Sequence, residues 1–394
     1  MAKLKNFKRL LSPPRDSFFL FGPRGVGKST WLKSELLADL SINLLQNDTY
    51  LKYLTNPSHL RDVTSSLKKH SWVCIDEVQK VPAILDEVQF LIEENKLRFA
   101  LSGSSARKLK RGGANLLAGR AITRNMDPFS YAEIKQEYNL NKRLELGCLP
   151  LVVTKPDLGR DILKTYVATY LKEEIQEEGH VRKIEPFARF LEVAALLNAQ
   201  QINGSNIARE AQIPRPSIDG YFSILVDTLI GYLLPAYQPR AKVKEQSHPK
   251  FYWFDCGVAR AAAGLMDEHP ESEWLGRALE TLVYHELRAR NHAVGSDRAL
   301  SYYRLQSGVE VNFVIELKKA SLTNKAQVIL LEVKNSKKWD FRWSKPMLEL
   351  KNSNKLEVKK MFGIYRGVEH LNRDGVEIMP VESFFELLHK AKIF

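Results

Sequence analysis

The sequence predicts an α/β fold in which a parallel sheet is covered by helices and is followed by further domains. Three observations support this: an apolar run that enters a glycine-rich turn, an apolar run that ends in two acidic residues, and regular alternation of strand-like and helix-like segments over the first 130 residues. Alternation of this kind is typical of parallel sheets, because each helix carries the chain back across the sheet. At 394 residues the chain is longer than one hydrophobic core supports, so we expect two or three domains.

We expect the first domain to cover residues 1–130. Its strands are marked by short apolar runs. An amphipathic helix is predicted over residues 84–94, with Leu85, Val88, Leu91 and Ile92 on one face. Ligands of such sheets bind at the carboxyl ends of the strands. The predicted strands are 17–21, 41–45, 72–76, 97–101 and 121–124.

The glycine-rich turn fits the Walker A pattern G-x-x-x-x-G-K-[ST] in the order strand, turn, helix that this pattern requires. Its glycines allow backbone N–H groups to converge on phosphate oxygens, and Lys28 adds a cation for the β- and γ-phosphates. Ser29 offers a hydroxyl to Mg²⁺, and Thr30 follows in the first turn of a helix whose N-terminus attracts the same anion. ATP and Mg²⁺ are therefore the predicted ligands, the alternative being an ordinary glycine turn. The predicted phosphate-binding residues are Gly22, Pro23, Arg24, Gly25, Val26, Gly27, Lys28, Ser29 and Thr30.

The second apolar run ends in Asp76 and Glu77, 48 residues after Lys28, and reads as a Walker B strand. We expect Asp76 to hold Mg²⁺ through water and Glu77 to orient or deprotonate the attacking water. Two adjacent acids favour hydrolysis, since metal binding needs only the first. Ser102 directly follows the predicted strand 97–101, and its hydroxyl would lie beside the γ-phosphate. The alternative is an ordinary serine-rich turn over 102–105.

Composition limits the cellular setting and the partners. The three cysteines, Cys74, Cys148 and Cys256, lack metal-like spacing, so we expect a reducing cytoplasm, and no apolar run is long enough for a membrane span. The net charge of +13 and the pI near 9.4 suggest a polyanion such as DNA. Residues 316–360 hold 12 basic and 5 acidic residues, and a second basic cluster lies at 107–111. A solubilising lysine-rich surface is the alternative.

Residues 131–186 read as mostly helical, with a break at 147–150, and residues 187–240 fit a winged helix. Three helices, the second capped by Ser205 and the third by Ser217, precede a hairpin. The outward face of the third helix is not basic, which favours a packing role over DNA reading. That face carries Ser217, Asp219, Ser223 and Asp227.

Residues 241–394 have the pattern of a restriction-nuclease fold, in which carboxylates gather Mg²⁺ and a lysine stabilises the activated water. Glu280 is predicted on a helix beginning near Gly276, and Glu332 and Lys334 form a Glu-x-Lys on a strand. Asn312 stands where an Asp is needed, and an amide is a weak ligand for a hard cation. We therefore expect a nuclease-like shape without cleavage; the alternative is that these acids, with Glu310, simply end strands.

Together these residues resemble a widespread family of bacterial and archaeal AAA+-type P-loop ATPases that carry a winged helix and a nuclease-like C-terminal domain of unassigned role. The resemblance implies that Arg120 reaches the γ-phosphate of a neighbouring subunit, and thus a homo-oligomer, a hexamer or lower. The sequence departs from the family at Asn312 and at Gly147-Cys148-Leu149-Pro150, where Gly-Gly-x-Pro is usual. The matching segments are 22–29, 76–77, 101–105, 117–120, 127–130 and 310–313.

Three functions remain open from the sequence. The first is an ATP-hydrolysing switch or motor acting on a partner. The second is a nucleic-acid processing enzyme, either a branch-migration motor or a nuclease. The third is a regulatory or defence protein that uses ATP only to switch conformation.

Overall fold

The computed structural model describes residues 7–104, 109, 117–171, 184–238, 248–304, 308–321 and 323–394. Ser105 and the predicted basic cluster of Arg107, Lys108, Lys110 and Arg111 lie outside the described residues.

The first sheet has five parallel strands in the order β2-β3-β4-β1-β5, which confirms the parallel sheet. The predicted strand 72–76 is confirmed residue for residue, and the other four differ by one or two residues at their ends. Both faces of β1 are buried, since Phe18 and Leu20 pack into one core and Phe19 and Phe21 into another. The strands are β1 (Phe18–Phe21), β2 (Leu40–Asn43), β3 (Trp72–Asp76), β4 (Arg98–Gly103) and β5 (Ile122–Asn125).

Helices on both faces cover this sheet. The helix after the glycine-rich turn ends at Glu35, so Leu37 lies beyond it and is 92% exposed. These helices are α1 (Lys28–Glu35), α2 (Asn47–Thr55), α3 (His59–Thr64) and α4 (Ile84–Glu93).

The middle of the chain contains helices and a small antiparallel sheet of order β6-β8-β7, hereafter the three-stranded sheet. Two predicted caps are wrong. Asn203, not Ser205, caps α9, because its side chain accepts from the Asn206 N–H; α10 begins after Pro214, so Ser217 lies inside its first turn. The elements are α5 (Leu140–Leu146), α6 (Pro150–Thr154), α7 (Gly159–Thr165), α8 (Ile184–Leu196), β6 (Gln200–Gln201), α9 (Gly204–Glu210), α10 (Arg215–Asp227), β7 (Gly231–Leu234) and β8 (Lys250–Trp253).

The C-terminal part packs helices on a six-stranded sheet of order β13-β14-β12-β11-β10-β9. Strands β9, β10 and β11 form an antiparallel meander, and β12 and β14 continue parallel to β11. The long helix α12 begins at Ser272 rather than near Gly276, because buried Trp274 anchors its first turn. The elements are α11 (Cys256–Ala262), α12 (Ser272–Val294), β9 (Leu300–Arg304), β10 (Glu310–Lys318), β11 (Gln327–Lys334), α13 (Lys345–Asn352), β12 (Glu357–Tyr365), β13 (Leu371–Arg373), β14 (Val376–Pro380) and α14 (Val381–His389).

Among the described residues, no helix combines the length and apolar character needed to cross a membrane. All three cysteines are buried free thiols.

Candidate nucleotide-binding site

The glycine-rich turn joins β1 to α1 through backbone angles that favour glycine. Gly25 has φ 83° and Gly27 has φ 94°, in the left-handed region where a side chain would be strained. The first residue of α1, Lys28, is 6% exposed, and its Nζ donates to the carbonyl oxygens of Gly22 at 2.7 Å and Pro23 at 3.2 Å. The turn therefore wraps around the lysine ammonium and places it where phosphate oxygens would be bound.

Asp76 is the last residue of β3, and Ser102 belongs to β4. The two residues lie close together because β4 is the strand between β3 and β1. Ser102 is fully buried; its hydroxyl donates to Asp76 Oδ1 and lies 3.4 Å from the Glu77 nitrogen, which donates to it. The Ser102 hydroxyl is thus directed at the acidic pair. It can orient the Asp76 carboxylate, a contact that the sequence did not reveal.

Glu77 has φ 59°, an uncommon conformation for a residue with a side chain. Its carboxylate accepts a hydrogen bond from Gln79 Nε2, which also lies 3.2 Å from Ser104 Oγ. Such backbone conformations cost about 1–3 kcal/mol and tend to occur at functional sites. Sequence reasoning missed Gln79, since no motif marks it.

Two cavities adjoin this set of residues. One of about 440 Å³ is lined by Ser29 and Asp76, the two predicted metal-binding residues, and by Asn43, Gln46 and Lys52. The other, of about 680 Å³, is bounded on its polar side by the turn and the start of α1. That polar boundary consists of Arg24, Gly25, Gly27, Lys28, Ser29, Thr30 and Glu77.

The opposite side of the larger cavity is apolar and comes from distant segments. Phe7, Phe129, Pro150 and Leu151 line it, and the Phe7 and Phe129 rings meet edge to face at 5.1 Å. This combination of a polar and an apolar side suits a flat ring joined to a phosphate chain, because most small-ligand sites combine an apolar wall with a few polar groups. Sequence reasoning did not identify this wall.

Arg9 connects the two sides of this cavity. Its Nη1 donates to the Val26 carbonyl at 2.8 Å, its Nε donates to Glu133 at 3.0 Å, and its guanidinium lies 4.8 Å from the Phe129 ring centroid. The sequence presented Arg9 only as one of several basic residues near the N-terminus.

Arg120 lies at the opposite edge of the sheet. Strand β5 runs parallel to β1, with Ile122 opposite Phe18, so Arg120 precedes the amino-terminal ends of these strands and the turn follows their carboxyl ends. Its guanidinium forms an ion pair with Glu93, and both side chains are about two-fifths exposed. The structure does not bring Arg120 to the site of its own chain.

Asp127, two residues after β5, joins the site to α12. Its carboxylate lies 3.0 Å from Arg288 Nη2 and 2.5 Å from His292 Nδ1. Burial raises the pKa of this carboxyl, but His292 and Arg288 outweigh burial, and the pKa lies well below its ordinary value. On the same helix, His285 Nε2 lies 3.0 Å from the Phe129 carbonyl oxygen. A charged, buried contact thus connects the wall of the cavity to the C-terminal part.

The predicted nuclease-like residues lie on α12, β10 and β11. Asn312 is buried, and its Oδ1 accepts from the Val333 N–H at 2.8 Å, so its side chain is used within the sheet. Burial raises the pKa of Glu332 to about 7, although Lys334 lies 2.6 Å from it and opposes the shift. Within the described part of the chain, no three His, Cys, Asp or Glu side chains form a group suited to a metal ion.

Comparison with known proteins supports an ATP-binding AAA-type P-loop domain: residues 14–135 match a family model described as an AAA domain. Residues 137–269 and 275–384 match two further models, each described as a domain of unknown function, DUF8612 and DUF4143.

Two curated relatives are also similar, and both are described as uncharacterized proteins. One, from Methanocaldococcus jannaschii, is 24% identical over 283 residues, which is 66% of this chain and 61% of the relative. The other, from Haemophilus influenzae, is 24% identical over 243 residues, 55% of this chain and 60% of the relative. The chain thus spans about three-fifths of the length of the curated relatives it matches.

Proposed function

We propose that this protein binds and hydrolyses ATP and uses the reaction as a switch or motor on a partner. The observation that carries the proposal is the enclosure of the Lys28 ammonium by the glycine-rich turn, on the same side of the sheet as Asp76 and Glu77, which lie at the carboxyl end of β3, one strand beyond β4. A buried ammonium that donates to backbone carbonyls can exchange them for phosphate oxygens, which are stronger acceptors.

Each residue of the site then has a separate task. The backbone N–H groups of residues 22 and 24–29, together with Lys28, would bind the phosphates. Ser29 and Asp76 would hold Mg²⁺, which would neutralise phosphate charge. Glu77 orients the attacking water and takes its proton. Gln79 and Ser102 act as positioning residues, since their hydrogen bonds fix the two acids.

The apolar wall gives the site a place for the base. We assign the adenine ring to the space beside Phe129, Pro150 and Leu151, because flat rings pack favourably on aromatic and aliphatic side chains. Arg9 holds Phe129 and Val26 in fixed relation, so the base and the phosphates would be positioned together.

We further propose that Arg120 acts in trans within a homo-oligomer. Its place at the far edge of the sheet and its partly exposed side chain suit a surface that meets a neighbouring subunit. An arginine supplied by a neighbour stabilises transition-state charge and makes hydrolysis depend on assembly.

We propose a packing role for the rest of the chain. Residues 187–240, together with β8 (Lys250–Trp253), would form a winged helix, supported by three helices followed by a hairpin whose second strand, β8, pairs with β6. The rest of residues 241–394 would form a nuclease-like domain, supported by the meander β9–β11 and by β12, which runs parallel to β11. We expect no cleavage by this domain, since the Asn312 amide is committed to the sheet.

DNA is a second candidate partner, because most lysines of residues 316–360 are exposed. A DNA-dependent motor would hydrolyse ATP faster with duplex DNA, and binding would weaken steeply as salt rises. Hydrolysis unchanged by DNA at low salt would rule out this form of the proposal.

Hydrolysis by the Lys28→Ala variant tests the proposal. We expect phosphate release to fall to background, because the phosphates lose their buried cation. Lys69→Ala, which removes an exposed lysine from the same domain, serves as the control and should match the wild type. Equal turnover by Lys28→Ala and the wild type would refute the proposal.

A further inference from the structure

The carboxylates of the C-terminal part are contacted by a cation from another part of the chain. Lys250 is the first residue of β8, in the three-stranded sheet. Its Nζ lies 2.8 Å from Glu310 Oε2 on β10 and 3.9 Å from Glu280 Oε2 on α12, and its side chain is only 7% exposed. This lysine is therefore buried between two acids that belong to the neighbouring unit.

Two further side chains of the three-stranded sheet contact the same acids. Tyr252 Oη donates to Glu280 Oε2 at 3.2 Å, and Gln201 Nε2 donates to Glu310 Oε1 at 2.6 Å. Charge-assisted hydrogen bonds of this kind are stronger than those between neutral groups. Both carboxylates thus receive hydrogen bonds from β6 and β8, and Arg304 of β9 adds an ion pair to Glu310 at 3.8 Å.

The charge of Lys250 is maintained despite its burial. Burial lowers the pKa of the ammonium, but the nearby Glu280, Glu310 and Glu332 carboxylates outweigh it, and the pKa lies above its ordinary value. Without the ammonium, these carboxylates would be left close together in a largely buried place, which is strongly unfavourable.

We infer that the Lys250 ammonium, through its ion pairs with Glu310 and Glu280, fastens the three-stranded sheet to the C-terminal unit. These contacts form an ionic joint between two parts of the chain, and the inference does not rest on the proposed function.

A double-mutant cycle in denaturant unfolding tests this joint. We expect the substitution Lys250→Met to lower the denaturant midpoint of unfolding when it is made in the wild type. When it is made in the Glu310→Gln variant, we expect a far smaller decrease, because the neutral amide needs no counter-ion. Lys359→Met, which removes the lysine of an exposed pair with Glu357, is the control and should shift the midpoint little. Additive effects of Lys250→Met and Glu310→Gln would overturn the inference.

If Lys250→Met does not fold, the cycle is replaced by the triple variant Lys250→Met, Glu280→Gln, Glu310→Gln. Removing the acids together with their counter-ion should restore folding, and a triple variant that also fails to fold would contradict the joint.

Discussion

At the scale of single residues, the chemistry of the proposed site depends on how Glu77 is held. Its left-handed backbone and its hydrogen bond from Gln79 fix the carboxylate directly after Asp76. In the proposed mechanism one acid would hold the metal and the other would act on the water, so substitution can separate the two roles.

We expect Glu77→Gln to bind ATP as tightly as the wild type and to hydrolyse it about 10²–10⁴-fold more slowly, since the amide keeps the shape but cannot accept a proton. Equilibrium binding and single-turnover hydrolysis measure the two quantities. Glu94→Gln, an exposed glutamate on the same domain, is the control. Unchanged turnover by Glu77→Gln would exclude Glu77 as the base.

Phe129→Ala tests the assignment of the adenine position. Loss of the ring and of its contact with Arg9 should raise the Kd for ATP about tenfold, roughly 1.4 kcal/mol, and leave binding of inorganic triphosphate unchanged. Phe90→Ala removes a half-exposed ring of α4 and should alter neither affinity. Equal weakening of ATP and triphosphate would show that Phe129 does not contact the base.

At the scale of elements, an ion pair and hydrogen bonds connect the segment after β5 to α12. The Asp127 carboxylate and the Phe129 carbonyl are both held by α12, and Glu280 lies two turns earlier on that helix. A movement of Phe129 on nucleotide binding would therefore pull on a helix that also carries an acid of the joint with Lys250.

Asp127→Asn should destabilise the protein in a pH-dependent manner. His292, Arg288 and His285 face the carboxylate and its pKa is lowered on folding, so its contribution to stability is complete above the ordinary pKa of 3.8 and is lost as pH falls below it. Urea unfolding at successive pH values should show a wild-type advantage at neutral pH that shrinks below pH 3.8. An advantage that is constant with pH would contradict this account.

The sequence revealed local features better than contacts between distant segments. Strand 72–76 was predicted correctly because an apolar run ends abruptly in two acids, and the phosphate-binding turn follows a fixed spacing. The caps at Ser205 and Ser217 were wrong because Asn203 and Pro214 take the same role two and three residues earlier.

The apolar wall of the site could not be predicted for a different reason. Arg9 contacts the Asp127 carbonyl across 118 residues, and Phe129 reaches the cavity only because β5 lies beside β1. Lys250 likewise meets Glu310 through the packing of two sheets. No periodicity in the sequence encodes such contacts.

At the scale of the whole molecule, the proposed role of Arg120 requires a neighbouring subunit. We expect Arg120→Ala to lower turnover by about 10³-fold or more without weakening ATP binding. In an oligomer, a mixture of Arg120→Ala and Lys28→Ala should regain activity, because some interfaces then combine an intact Lys28 with an intact Arg120. Full activity of Arg120→Ala alone, or no recovery in the mixture, would argue against a shared site.

A calorimetric titration of the nucleotide-free protein with ATP and Mg²⁺ tests the central claim most directly. We expect one ATP per chain, bound by the wild type and by Glu77→Gln and not by Lys28→Ala. A wild type that takes up no ATP, or a Lys28→Ala variant that binds it equally well, would contradict the claim that the turn around Lys28 holds a triphosphate.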